Sequence, residues 1–364
     1  MKASVAMGVG KGFSVMDVQI DEPIGREVLI EIRASGLCHT DLHFVEHDFG
    51  HRMPAVFGHE VAGVVVGVGK DVSSVSVGDH VVACLIQYCG MCAKCLTGRS
   101  FECLNPSVTV RRDHEPPRLS MDGAPVNQVA GIGGFAERAL IHENQLAVVN
   151  KEVPFPQASV IGCAVVTGAG SAIHTAGVRV GDTVAVIGVG GVGLNAISGA
   201  RLAGARRIIA IDIDDRKLGV ARRFGATDVV NSGKENPAEA VKRITGGAGV
   251  DHSFEMIGRE VTQALAVEIA GQGGHAYFVG LAKPGTTLTL NTSLEAIIAQ
   301  KGVHGVLMGS TNPKIDIPLY ADLYVQGRME LDELVTQEIN IADINVAYEQ
   351  LSAGGIVRSV ITSF

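Results

Sequence analysis

The chain has 364 residues, room for about two domains, each with a sizeable core. With 46% hydrophobic residues, no long polar tract and a net charge of −8, it is neither a disordered chain nor a nucleic-acid binder. Its 46 glycines far exceed a background of about 7% but lack the three-residue period of collagen, and its seven cysteines need a reason.

The opening MKASVAMGVGKGFSV lacks the continuous apolar run of an export signal, so a soluble, cytoplasmic protein with no membrane segment is expected. Residues 28–33 (VLIEIR) alternate as a half-buried strand does. Cys38 follows in GLCHTDLH, and His59 and Glu60 close PAVFGHE just before a second apolar strand, 61–68. Cys84, within VVACLI, reads as buried core.

Residues 89–103 read CGMCAKCLTGRSFEC. Cys89, Cys92, Cys95 and Cys103 would place four thiolates on one compact lobe, as a closed tetrahedral zinc site requires, with iron–sulfur ligation the rival. Disulfides fit less well, because the cysteine count is odd and no export signal is visible. Cys163 lies in IGCAVVTGAG; alone it would be a core residue. Two cysteines and a histidine, however, make a three-ligand zinc site with an open fourth position, the catalytic arrangement.

Residues 183–200 are apolar enough to raise a membrane question, but five glycines and an asparagine interrupt them. A dinucleotide-binding unit explains them better. Thr183–Ile187 is a buried parallel strand by composition, GVGGVG at 188–193 fits G-x-G-x-x-G, residues 194–203 continue as a helix, and a strand at 207–211 ends on Asp212. Gly188, Gly190, Gly191 and Val192 form a turn that lets the backbone approach a pyrophosphate, and Gly193 lets helix and strand pack closely. The helix N-terminus offers free N–H groups to the phosphates. Asp212 can accept hydrogen bonds from the ribose hydroxyls and would repel a 2′-phosphate, so NAD is expected over NADP. Helices at 215–224, 238–245 and 260–270 alternate with strands at 228–230, 251–256 and 275–280, a doubly wound α/β sheet.

The G-H-E at 58–60, the four-cysteine lobe, the cysteine at 163 and GVGGVG together resemble the zinc-containing medium-chain alcohol dehydrogenases, the dimeric branch in particular. The resemblance runs in order along essentially the whole chain. It implies a GroES-like catalytic domain over residues 1–164, a Rossmann domain over 165–307 and a return to the first domain over 308–364. Cys38, His59 and Cys163 would hold a catalytic zinc, with Glu60 beside it as an outer or alternate ligand. The four lobe cysteines would hold a structural zinc, giving two ions per chain. Asp41 would orient the zinc histidine. Thr40 and His43 would relay the proton, Thr167 would flank the nicotinamide, and Lys217 would sit by the adenosine ribose. His39 and Arg358 would lie near the pyrophosphate. The other histidines, His47 among them, read as surface or core.

The expected reaction is reversible hydride transfer between a small alcohol and NAD, giving an aldehyde or ketone, in a homodimer. Primary and secondary, aliphatic and aromatic alcohols all fit. One alternative is a thiol-adduct dehydrogenase of the S-(hydroxymethyl)glutathione type. That branch places an arginine shortly after the fourth cysteine, where this chain has Ser107, with Arg111 and Arg112 displaced. The other alternative is a zinc- and NAD-binding protein without turnover.

Overall fold

A computed structural model describes residues 1–354 and 358–364. The chain forms two compact units, Met1–Cys163 with Asn312–Phe364, and Ala164–Thr311. The second break falls after Thr311 rather than after residue 307, for a packing reason. Within that unit Thr167 Oγ1 lies 3.5 Å from Met308 Sδ, and a Cβ at Gly170 would come within 2.5 Å of the Gly309 carbonyl oxygen.

In the first unit a seven-stranded sheet is built around Glu27–Gly36, flanked by Glu60–Val68, Arg138–His142 and the distant Ser359–Ser363. The register fixes the chemistry that follows. Gly36 pairs with Glu60 and also with Val360, so the chain leaving this strand at Leu37 and Cys38 meets His59 and Glu60 on one side and Arg358 on the other. A Cβ at Gly36 would lie 2.4 Å from Glu60 Oε2 and 3.1 Å from Glu60 Cβ, so glycine there leaves the Glu60 side chain its place. A second, six-stranded sheet includes Lys2–Ala6 and Ala124–Gln128. Phe13, Phe57, Phe135 and Tyr348 fill the core beside it, with Phe13 stacked on Tyr348 at 5.6 Å. Each such ring contributes about 1.5–3 kcal/mol by leaving water.

The second unit carries the doubly wound sheet: six parallel strands in the order Asp228–Asn231, Arg207–Asp212, Thr183–Ile187, Val250–Glu255, Ala270–Phe278 and Gly302–Gly305. Helices Gly191–Ala203, Asp215–Phe224, Pro237–Thr245 and Glu260–Ile269 alternate with them, and Asp214 and Asn236 cap two of them by accepting first-turn N–H groups. The first helix starts three residues earlier than the expected 194, because glycines at 191 and 193 place no side chain between it and the strand.

Residues 183–200 are thus a buried strand and helix. A different segment, Phe155–Thr175, is long and apolar enough to cross a membrane by length and composition, but 83% of its apolar window is buried inside the protein, as for a core helix.

Candidate active site

The four lobe cysteines converge. Sulfur–sulfur separations are 3.5 Å between Cys92 and Cys95, 3.9 Å between Cys89 and Cys95, and 4.0 Å between Cys92 and Cys103. A disulfide needs about 2.05 Å. Four bonds of about 2.3 Å around one tetrahedral ion require sulfurs about 3.8 Å apart. The spacing therefore fits a single zinc, and it leaves no room for the several irons of a cluster. Backbone N–H groups already point at the sulfurs: Cys89 N–H donates to Cys103 Sγ, Cys92 N–H to Cys89 Sγ and Asn105 N–H to Cys103 Sγ. The Leu104 and Cys95 amides bring the Cys92 thiol down to about 6, which favours the thiolate a metal needs. Cys84 takes the opposite course. It is fully buried and its thiol is pushed up to about 12 by desolvation, as befits an inert core residue.

A second donor set is buried. Cys38, His59, Glu60 and Cys163 each place a ligand atom within 4.8 Å of the others. Cys38 caps the short helix His39–Glu46, and Cys163 lies in the π-helical turn Ile161–Val165, a local widening often found where a side chain must be aimed. His59 Nδ1 lies 3.1 Å from Asp41 Oδ1, which also accepts the Gly58 N–H at 3.2 Å. Asp41 therefore fixes the imidazole with Nε2 turned inward. That atom is buried and has no hydrogen-bond partner among the described residues. Leaving a buried ring nitrogen without a hydrogen bond costs about 1–3 kcal/mol, which a ligand bound at that atom would offset. The Cys163 thiol, and secondarily His59 and Arg358, hold Cys38 well below its usual range, while Cys163 is driven up by the same pairing. Two sulfurs and an imidazole nitrogen about one small volume fit zinc, with Glu60 next to them.

Arg358 and Tyr348 pack against this donor set. Arg358, expected beside the pyrophosphate, is buried, its guanidinium donating to the Leu37 carbonyl at 2.8 Å and lying 3.2 Å from Glu60 Oε1. Burial pushes the Glu60 carboxyl up to about 7 against the pull of Arg358. Tyr348, which no sequence pattern signalled, donates its hydroxyl to the Cys38 carbonyl at 3.3 Å. Thr40 and His43 stand three apart on one face of the His39–Glu46 helix, both half-buried, and His39 is exposed at its start.

In the second unit the glycine turn is as tight as its pattern requires. Gly188 has φ +90°, where L side chains are strained, and a Cβ at Gly193 would sit 2.0 Å from the Gly188 carbonyl oxygen. Gly190 caps the helix beginning at Gly191, and Val192 is half-buried in its first turn. Asp212 accepts from Val189 N–H at 2.9 Å and from Ile213 N–H at 2.8 Å, which ties the end of its strand to the turn. Lys217 is half-buried in the helix that follows, and Thr167 is buried.

Comparison with known proteins accords with this geometry. The alcohol dehydrogenase GroES-like domain matches residues 25–152, and the zinc-binding dehydrogenase domain matches residues 191–325. An NDMA-dependent alcohol dehydrogenase of Amycolatopsis methanolica is 39% identical over 99% of this chain and 98% of its own. An S-(hydroxymethyl)glutathione dehydrogenase of Paracoccus denitrificans is 34% identical over 99% of each. The crystal structure of benzyl alcohol dehydrogenase from Acinetobacter calcoaceticus superposes with a TM-score of 0.93 at 33% identity, covering 100% of this chain and 99% of that one. An enzyme of this kind takes zinc and a nicotinamide cofactor. Sequence, donor geometry and glycine turn thus meet in one conclusion: the chain belongs to the zinc-containing medium-chain alcohol dehydrogenases and is an oxidoreductase with zinc alcohol dehydrogenase activity.

Proposed function

We propose that the protein transfers hydride between a small alcohol and NAD, holds two zinc ions per chain, and works as a cytoplasmic homodimer. The observation that carries the reading is the buried Cys38–His59–Cys163 set with its inward, partnerless His59 Nε2. Bound there, zinc supplies Lewis-acid chemistry that lowers the pKa of a hydroxyl toward neutrality. The residues of the chain do the rest. Asp41 holds the His59 tautomer, and the Arg358 charge offsets that of Glu60 beneath the donor set. Thr40 Oγ1 takes the proton from the substrate hydroxyl, and His43 passes it to solvent, so the carbon can release hydride to the nicotinamide.

Asp212 supports NAD. Its carboxylate ends the second strand where a ribose would lie, and the neighbouring cation Arg216 is already paired with Asp214 at 2.7 Å. A plain alcohol is favoured over a glutathione adduct by the fate of Arg111. Its guanidinium binds Glu27, Asp21, the Glu22 carbonyl and the Pro116 carbonyl, so it has no donor left to hold an adduct carboxylate. The homodimer is supported by Gly302–Gly305, which ends the order of the parallel sheet, and by exposed Leu294, Ile297, Ile298, Val303 and Leu307 in and around it.

The test is NADH absorbance across a panel of alcohols and aldehydes, with and without glutathione, and with NDMA as an added acceptor. Cys163→Ser is expected to abolish alcohol-dependent NADH formation while circular dichroism stays unchanged and one zinc per chain remains. Retained turnover would sink the ligand assignment, and a requirement for glutathione would sink the plain-alcohol reading.

A further inference from the structure

The histidines at 43 and 47 read from sequence as unrelated, one in a relay and one on the surface. The helix His39–Glu46 brings them together. His43, Glu46 and His47 each offer a ligand atom, and the three atoms lie within 4.8 Å of one another. The imidazole rings are nearly parallel, 18° apart with centroids at 6.2 Å, although His47 is the extended residue just past the helix end. His43 and His47 are half-buried and Glu46 is exposed, so the group faces water, and Asp48 adds a further negative charge next in sequence.

We propose that His43, Glu46 and His47 form a third metal site, separate from the two sulfur-containing ones, that takes a divalent transition-metal ion such as Zn²⁺ from solution and in doing so stops turnover. The ligand chemistry suits such an ion. Two imidazoles and a carboxylate with an open side is a borderline N,N,O set, which disfavours Mg²⁺ and Ca²⁺. Zinc–nitrogen bonds of about 2.0–2.1 Å at a tetrahedral angle need nitrogens about 3.4 Å apart. From within 4.8 Å, small side-chain rotations close that gap without moving the helix. The backbone support is in place, with His47 N–H donating to the His43 carbonyl at 2.9 Å and finishing the turn.

The consequence for activity rests on the relay reading given above. A neutral imidazole has one basic nitrogen. Once that lone pair is on a metal ion, His43 cannot accept a proton, and the route from Thr40 to solvent ends. The ion replaces a proton on the same nitrogen, so binding strengthens as the histidines deprotonate.

The experiment uses the holoenzyme with its resident zinc and adds Zn²⁺ alone. Bound zinc is counted by equilibrium dialysis, and alcohol oxidation is followed at each concentration. Wild type is expected to take up one further ion per chain and to lose turnover in parallel. His47→Ala and His47→Gln touch neither the relay nor the buried zinc ligands, and are expected to keep basal turnover. Each should need at least about tenfold more Zn²⁺ for both effects, the lower end of what disturbing a metal site costs. No further ion on wild type, or equal uptake by the His47 variants, overturns the site and leaves the relay reading untouched. A further ion that His47→Ala abolishes but that leaves turnover unchanged overturns the inhibition, and removes His43 from the proton route.

Discussion

Arg358 Nη1 lies 3.2 Å from Glu60 Oε1, and both side chains are buried. The pair brings together residues almost three hundred positions apart, because Val360 and Glu60 both pair with Gly36. Breaking a buried pair by removing one partner costs about 3–5 kcal/mol, since the other charge is stranded.

Arg358→Met is therefore expected to lower stability by about 3 kcal/mol, the low end of that range, because the Glu60 carboxyl, already near 7, can take up a proton instead. In a unit of this size that corresponds to a drop in Tm of roughly 6–12 °C. Calorimetry on the metal-loaded protein measures it. A Tm within a degree of wild type would mean the pair contributes nothing.

Removing a lobe cysteine should separate folding from chemistry. Cys103→Ala is expected to reduce bound zinc by one ion per chain and to make the peptide bonds of the 89–103 segment sensitive to brief proteolysis, because a closed site supplies folding energy. Surviving folded enzyme should keep its KM for the alcohol. A raised KM with full zinc content contradicts the assignment of this lobe as structural.

Cofactor choice should turn on one charge. Asp212→Asn keeps an oxygen for the Val189 N–H but removes the carboxylate charge. Loss of charge-assisted bonds of about 1.5–3 kcal/mol predicts that the kcat/KM ratio for NAD over NADP falls by about 10- to 100-fold. An unchanged ratio would place discrimination elsewhere.

Acid stability has an address at Glu143. Burial alone would raise its carboxyl, but the Ser74 hydroxyl, Arg26 and the Ser73 and Ser74 amides outweigh it and bring the group to about 2. A depressed carboxyl stabilises the fold at pH above its unfolded value near 4.5 and loses that contribution as pH falls toward 2. The contribution at neutral pH is about 3 kcal/mol at 1.36 kcal/mol per unit. Glu143→Gln should therefore cost most of that at pH 7 and little at pH 2. Parallel stability curves for wild type and variant across that window would rule it out.

What could be read in advance was what chemistry forces into local pattern. Cys89 to Cys103 had to be close in sequence for one loop to hold a metal, and Gly188 to Gly193 had to lack side chains for strand and helix to touch. The parallel strands announced themselves as short β-branched runs. Pairings made by register across the chain left no such trace. Nothing near Glu60 points to Arg358, and nothing near Cys38 points to Tyr348, because those contacts depend on which strand ends beside which. Arg111 illustrates the same limit. The sequence shows it only as displaced from the position of an adduct-binding arginine, and the fold alone discloses that Glu27 and Asp21 already hold it. His43 and His47 read from sequence as unrelated, because a histidine on a helix face is usually just solvated, and their ring-to-ring approach shows only in the fold.

The placement of Ser359–Ser363 against Glu27–Gly36 also sets a timetable for biosynthesis. The Ala164–Thr311 unit is one continuous stretch and can complete its parallel sheet while the ribosome is still at work. The four-cysteine lobe, spanning residues 89–103, can capture its metal earlier still. Cys38 emerges before both events and Cys163 between them, yet the setting of the two thiols is completed only when Arg358 arrives to face Glu60. The nascent chain thus carries two kinds of thiol for very different times without a finished home, and Cys38 and Cys163 are the ones left longest open to oxidation or to the wrong metal.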